Sequence, residues 1–224
     1  MATYSIGTSD PTITPDRGAG VWNSEPTTME MLLKKQGIIQ VLPPAYVLIG
    51  DDAVKHMLHY FGNRGTDFNI DLEGLITVDD EKKEFENELL RARKFTETLP
   101  IGTHNITSNT ATNGYAHKSE SANWFFATGG YSYWGKGVAK VSDAGGGQKA
   151  YELEFEYKFF DRYNWDGGKK VEIFGIEVTD EFMGRFHREG LAKEFNMYGS
   201  LKRIAKWTGL TTNNPTITKP GDRG

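Results

Sequence analysis

From Tyr151 to Phe159 apolar and polar side chains alternate without interruption, Tyr151, Leu153, Phe155, Tyr157 and Phe159 against Glu152, Glu154, Glu156 and Lys158. A period of two predicts a strand buried on one face and wet on the other. The stretch Asp143 to Gln148, with three consecutive glycines, predicts a flexible hairpin connection before it. Trp124-Phe125-Phe126, Tyr131-x-Tyr133 and Val138 to Val141 are aromatic and β-branched runs divided by glycines, and predict a curved sheet. Val171 to Val178 predicts a further strand.

Helical spacing governs the remainder. Asp51-Asp52 predicts the cap of a short helix, Ala53 to Phe61, ended by Gly62. Thr77-x-x-Asp80 resembles a capping box; Asp79, Asp80 and Glu81 follow in the first turn, and Arg91, Arg93 and Lys94 near the end. Phe85, Leu89 and Ala92 form one apolar stripe, Pro100 closes the element, and its charged remainder reads as a solvated face. Thr179 or Asp180 caps a helix carrying Phe182, Phe186 and His187, broken by Gly190. Leu191, Phe195, Tyr198, Leu201, Ile204 and Trp207 predict that helical structure continues to the end of the core. Ile38 to Ile49, split by Pro43-Pro44, reads as two short buried strands or loops around a proline turn, with contact to a lipid-like substrate or membrane surface as the alternative. The sum is an α+β fold: an N-terminal helical layer, then a strongly bent antiparallel sheet forming an open half-barrel, covered by C-terminal helices.

The ends are polar. Residues 1–30 are rich in Thr, Ser, Pro, Gly and Asp and predict a flexible N-terminal arm; residues 31–98 are mostly helical, and residues 211–224 form a loose C-terminal tail. Composition narrows the chemistry. With no cysteine in 224 residues, thiolate metal sites, Fe–S clusters, disulfides and cysteine nucleophiles are excluded. A net charge of −4 disfavours general binding to nucleic acid or anionic lipid. The amino terminus lacks the basic start and apolar run of a signal peptide, and no stretch approaches the ~20 apolar residues that span a bilayer.

Proton-moving and metal-holding residues concentrate in two stretches. Asp161-Arg-Tyr-Asn-Trp-Asp166 follows the strongest strand, and Phe186-His-Arg-Glu189 lies on the last capped helix. Asp161 and Asp166 suit a divalent cation or a general base, Tyr163 can donate to an oxyanion, and His187-Arg188 places a proton-transfer group beside an anion clamp. Together they fit phosphoryl chemistry; an ordinary turn and a solvated helix edge are the competing reading. His56 and His59, one turn apart with Asp51, Asp52 and Asp67 nearby, read as structural because no HExxH spacing accompanies them; His104 and His117 are expected in loops. Phosphate-binding glycine loops and a GxSxG elbow are absent.

The same residues carry a resemblance. Asp161-Arg162-Tyr163-Asn164-Trp165 followed by His187-Arg188 resembles the Asp-x-Tyr-Asp and His-Arg motif of the colicin M-like bacterial toxins. Leu99-Pro-Ile-Gly-Thr103, Thr128-Gly-Gly-Tyr131, Gly190 and Gly199-Ser200 resemble surrounding family segments, so the likeness covers roughly residues 99 to 205. Asn164 stands where the family has Asp, with Asp166 two places on. His187 follows Asn164 by 23 positions where the family needs a handful, a gap that an inserted hairpin from Gly167 to Val178 would fill.

The resemblance implies a catalytic domain over residues 99–210. It also implies a metal-dependent hydrolase that cleaves the peptidoglycan precursor lipid II between lipid and pyrophosphate. Asp161, Tyr163, Asn164, Asp166, His187 and Arg188 would form its site, with Asp161 and Asp166 holding Mg²⁺ or another divalent cation. Colicins cross the outer membrane with receptor and translocation segments; the short sequence and missing signal fit better a toxin made in the cytoplasm and exported by a dedicated route, as small cargo of a contractile type VI secretion system. The toxin would act in the periplasm of the target bacterium, and an immunity protein would guard the producer. Two rivals remain: a nuclease-type toxin acting in the cytoplasm, and a non-enzymatic module binding carbohydrate or protein through Trp124, Tyr131, Tyr133 and Trp134.

Overall fold

The computed structural model describes residues 2–113, 118–165, 168, 170–173, 176–210 and 214–222. In chain order the elements are β1 (Tyr4–Ile6), α1 (Met29–Ile49), α2 (Asp51–Phe61), β2 (Phe68–Asn69), α3 (Leu72–Leu75) and α4 (Asp79–Glu97). There follow β3 (Gly102–Ser108), β4 (Ala111–Asn113), α5 (Ala122–Ala127), β5 (Tyr131–Gly145), β6 (Gln148–Tyr163), β7 (Lys170–Ile173), β8 (Ile176–Thr179), α6 (Asp180–Arg188), β9 (Phe195–Thr208) and β10 (Thr216–Thr218). The fold is α+β, a large open sheet with helices around it.

The sheet runs in the order β1-β3-β5-β6-β9-β10, with β4 beside β5 and β2 added in parallel to β9. Every other pairing is antiparallel. The alternating stretch is the central strand β6, which buries Tyr151, Leu153, Phe155, Tyr157 and Phe159 as its period requires. Its hairpin with β5 turns through Gly145, Gly146 and Gly147, whose φ angles of 80°, 62° and 79° are open to glycine at little cost. A two-stranded β7–β8 hairpin stands apart, within the segment expected to be inserted.

Several elements depart from the sequence pattern. The helix expected from Leu191 to Trp207 is strand β9, paired with β6 from Ala150↔Thr208 to Tyr163↔Phe195. Its apolar residues satisfy both periods, but only the period of two puts Phe195, Met197, Leu201, Ala205 and Trp207 inside, leaving Tyr198 37% exposed. Among the described residues α6 is therefore the last helix. Trp124-Phe125-Phe126 lies in helix α5, whose first turn is capped by Ser121 Oγ accepting from Trp124 N at 3.2 Å. Ile38 to Ile49 is helical throughout, with Pro43 and Pro44 inside α1 while Leu42, Ala45 and Ile49 are buried. The burial of those residues offsets the two main-chain hydrogen bonds that the prolines remove. His104 lies in β3 rather than a loop; His117 falls outside the described residues.

The capped helices are close to their expected spans. Thr179 Oγ1 accepts from Phe182 N at 3.1 Å and so caps α6, which gives way to Gly190 at φ 70°. α4 buries Phe85, Leu89 and Ala92, but Val78, not Thr77, is its cap residue, and no side chain caps it. Its charged face is not all solvated: Glu81, Glu88 and Arg93 are buried too. Residues 2–28 are tied to the core, through β1 on β3 and through main-chain bonds from Asn23 and Glu25 to the carbonyls of His187 and Arg188. At the other end β10 pairs with β9. Among the described residues no helix is long and apolar enough to cross a membrane.

Candidate functional site

The carboxyl end of β6 delivers Asp161, Arg162 and Tyr163 opposite Met197, Asn196 and Phe195 of β9. Asp161 is buried and accepts from Gly129 N at 3.2 Å through Oδ2, and from Arg162 N at 2.7 Å through Oδ1. It borders a cavity of about 150 Å³ between residues 13–16 and the sheet, lined also by Thr14, Asp16, Ser132, Phe160 and Arg162. Asp16, at its edge, accepts from the Asn164 amide. Tyr163 points into an aromatic cluster, stacked on Phe195 at 5.0 Å and edge-on to Trp165 at 5.7 Å. Burial pushes its hydroxyl pKa well up.

The last turn of α6 supplies His187 and Arg188. His187 is buried; its Nδ1 accepts the main-chain N–H of Glu194 at 3.2 Å, and its Nε2 lies 3.2 Å from the Gly20 carbonyl. With Nδ1 used as an acceptor, the ring proton belongs on Nε2 and the imidazole is neutral. Burial lowers its pKa, against the raising influence of Glu194. The expected proton carrier is thus arranged as a hydrogen-bond donor. Arg188 is engaged by Glu25 at 2.7 Å, Glu181 at 2.5 Å and the Ala19 carbonyl at 3.4 Å. Burial opposes its charge, and the two carboxylates outweigh that and raise its pKa.

What joins the two stretches is Glu194, which the motif reading did not single out. Its buried carboxylate accepts from Ala19 N at 2.8 Å and Trp165 N at 3.0 Å through Oε1, and from Arg162 Nη2 at 3.4 Å through Oε2. The same Oε2 lies 3.9 Å from His187 Nε2. Asp161 reaches this group through its neighbour Arg162, and Asn164 through Asp16. Residues 16–25 run over all of it as a strap. Gly18 (φ 57°) is required there, because a Cβ would stand 2.1 Å from Glu194 Oε2. The only sequence signal for Glu194 was a carboxylate set directly before the apolar run of Phe195 and Met197; Asp16 and Gly18 had none.

Near the end of β6, Arg162 Nε, Tyr163 Oη and Trp165 Nε1 are buried without a hydrogen-bond partner among the described residues. Buried polar atoms are seldom left so; Arg162 and Tyr163, consecutive in the strand, face opposite sides of the sheet, and it is Arg162 that borders the cavity. For a cation, the oxygen-rich cavity lining of Asp16, Asp161, Thr14 and Ser132 suits Mg²⁺, which takes one or two protein carboxylates and completes its shell with water and substrate phosphate. Among the described residues no group of three or more His, Asp or Glu stands ready for a metal. Asp166, expected as the second metal ligand, lies outside the described residues.

His56 is a core residue, as its spacing suggested: Nδ1 lies 2.6 Å from the Ala127 carbonyl, and burial lowers its pKa. His59 Nε2 lies 2.7 Å from the Thr66 carbonyl. Trp124, Tyr131, Tyr133 and Trp134 are all buried, so these four residues offer no aromatic platform to a carbohydrate.

No family model matches the chain, and no curated protein matches it. Two solved structures are similar to it. One is PaeM, a colicin M-like bacteriocin produced by Pseudomonas aeruginosa, at 17% identity over 72% of this chain and 52% of that one, with a TM-score of 0.37. The other is truncated bacteriocin syringacin M from Pseudomonas syringae pv. tomato DC3000, at 13% identity over 73% of this chain and 61% of that one, with a TM-score of 0.32. The chain spans between half and two thirds of the length of these two proteins.

Proposed function

We propose that the chain is an antibacterial toxin that hydrolyses lipid II between its lipid and its pyrophosphate, with the end of β6 and the end of α6 as its active site. The observation that carries this reading is the meeting of the two motif stretches, 23 positions apart in sequence, at the buried carboxylate of Glu194. Asp161, beside a polar cavity, is the group that activates water. The water oxygen bonds to phosphorus as the bond from phosphorus to the lipid oxygen breaks, and the proton that Asp161 takes from the water passes on to the departing lipid oxygen; Arg162 and the Nε2–H of His187 donate to the phosphate oxygens. Arg188 adds positive charge at the edge, and Asn164 holds Asp16 in place. Tyr163, within the aromatic cluster, packs beneath the strand end that presents these groups instead of touching water.

Magnesium fits Asp161 and Asp16 and, when bound, would neutralise pyrophosphate charge. The strap beyond Asp16 engages His187, Arg188 and Glu194 through residues 19–25 and gives way when substrate enters, while Asp16 stays on Asn164. The substrate's place implies action at the periplasmic face of the target's inner membrane. The producer then needs a dedicated export route and a cognate immunity protein.

Periplasmic expression of the wild type beside Asp161→Ala and His187→Ala, with lipid II turnover measured in Mg²⁺ or EDTA, tests the reading. Killing confined to periplasmic expression, lost in both variants and in EDTA, is the expected result. Equal toxicity of the variants, or intact precursor, overturns it. Killing from the cytoplasm would favour a nuclease.

A further inference from the structure

Glu194 is 3% exposed, and each polar group around its carboxylate is a donor: Ala19 N, Trp165 N, Arg162 Nη2 and, at 3.9 Å, His187 Nε2. That is the setting an ionised carboxylate needs, since its two oxygens only accept. Its own main-chain N–H meanwhile occupies His187 Nδ1 at 3.2 Å. One residue therefore touches the imidazole twice, once to fix where its proton sits and once beside the nitrogen that carries it. The Oε2 that lies near His187 Nε2 also accepts from Arg162 Nη2, while the main-chain N–H of Arg162 donates to Asp161.

We propose that Glu194 is the positioning residue of the site: its main chain locks His187 as a neutral Nε2–H donor, and its carboxylate holds that donor and Arg162 side by side for one phosphate group. The proposal rests on the phosphoryl-transfer reading above. It goes beyond it by making the histidine a donor of fixed tautomer, held by a third residue as metal-bound and catalytic histidines are held by their outer partners. In the strap-closed form the Gly20 carbonyl takes the Nε2–H. Substrate oxygen replaces it without any change of tautomer.

Two measurements on the full-length protein separate this role from simple packing. In ¹⁵N-labelled wild type, long-range ¹H–¹⁵N correlation is expected to show His187 in the Nε2–H tautomer at pH 7. A ring protonated on Nδ1, or on both nitrogens, overturns the lock. Glu194→Gln and Glu194→Asp are then compared with wild type for turnover and for the His187 Nε2–H and Arg162 Nε resonances. Expected are a fall in kcat of at least about 10-fold for Glu194→Gln with KM within about 2-fold, displaced resonances, and partial recovery in Glu194→Asp. Unchanged kcat and unmoved resonances in a folded Glu194→Gln overturn the role. If the variants fail to fold, the wild-type tautomer still decides the lock. If wild type does not cleave lipid II, the functional reading falls while the resonances still judge Glu194.

Discussion

Two parts of the molecule bury carboxylates, and they do it differently. Along the inner side of α4, Glu81, Glu84 and Glu88 accept from the hydroxyls of Tyr131, Tyr133 and Tyr4, all from the sheet, and Arg91 closes on Glu88 at 3.0 Å. Burial and the neighbouring glutamates push the Tyr133 hydroxyl up to about 12, so it stays a neutral donor at physiological pH. At the end of β6, Glu194 instead takes its donors from a strap, a strand end and a loop, with a histidine and an arginine beside it. The seam is bonded through side chains fixed in regular elements. The site is bonded in part through the main chain of segments outside helices and strands. A buried charge whose partners are removable is suited to receive a ligand, whereas one whose partners are fixed holds two layers together.

The comparison breaks first on activity. Asp161→Asn should lower lipid II turnover about 100- to 10,000-fold, the range for a lost acid–base group, while its urea midpoint stays close to wild type. Glu88→Ala in the seam should do the reverse. It takes the carboxylate from the Tyr4 hydroxyl and from Arg91 and should cost about 2–4 kcal/mol in urea unfolding, with turnover per folded molecule unchanged. If Glu88→Ala abolished turnover at full stability, the division between seam and site would be false.

A smaller effect tests the strap. Gly18→Ala places a methyl against Glu194 in a left-handed backbone, so the strap should lift and protease cleavage within residues 8–25 should speed by a few-fold. Unchanged cleavage would mean that the strap is no more removable than the seam.

The smallest effect is on pH. Burial lowers the pKa of His56 and of His187, both at the site end. The unfolded chain, with histidine near ~6.5, then binds more protons than the folded one below that pH. Their contribution is full above ~6.5 and is lost as pH falls toward the folded values, at no more than about 1.4 kcal/mol per pH unit for each histidine. Hydrogen exchange at pH 5.5 against pH 7.5, corrected for intrinsic rates, should show α2 and α6 loosening before α4. Loosening of α4 first would contradict this.

Much of the fold lies in local pattern. β6 was legible because its period of two is matched by its burial, and α6 because Thr179 is a side-chain cap that acts within three residues. β9 was not: its apolar residues satisfy both periods, and pairing with β6 across the sheet chose between them. The prolines of α1 argued for a break that tertiary packing overrode. At the site, Asp161, Asn164, His187 and Arg188 were visible as chemical types in short stretches. Glu194, Asp16 and Gly18 were not, because each takes its meaning from a partner 29 or more positions away: Trp165 for Glu194, Asn164 for Asp16, Glu194 for Gly18.

The sequence by itself determined which chemistry is excluded, with no thiol anywhere in the chain, and which proton-moving and anion-binding side chains are available. It also determined the central strand and the capped helix that carry them. The tertiary structure alone decided that these two elements end at one buried carboxylate, that a polar strap lies over them, and that the histidine keeps its proton on Nε2. The reason is physical. Alternation and caps are set by neighbours within a few residues, whereas a hydrogen bond across the fold exists only after loop closure and burial have put a donor and an acceptor in the same dry place.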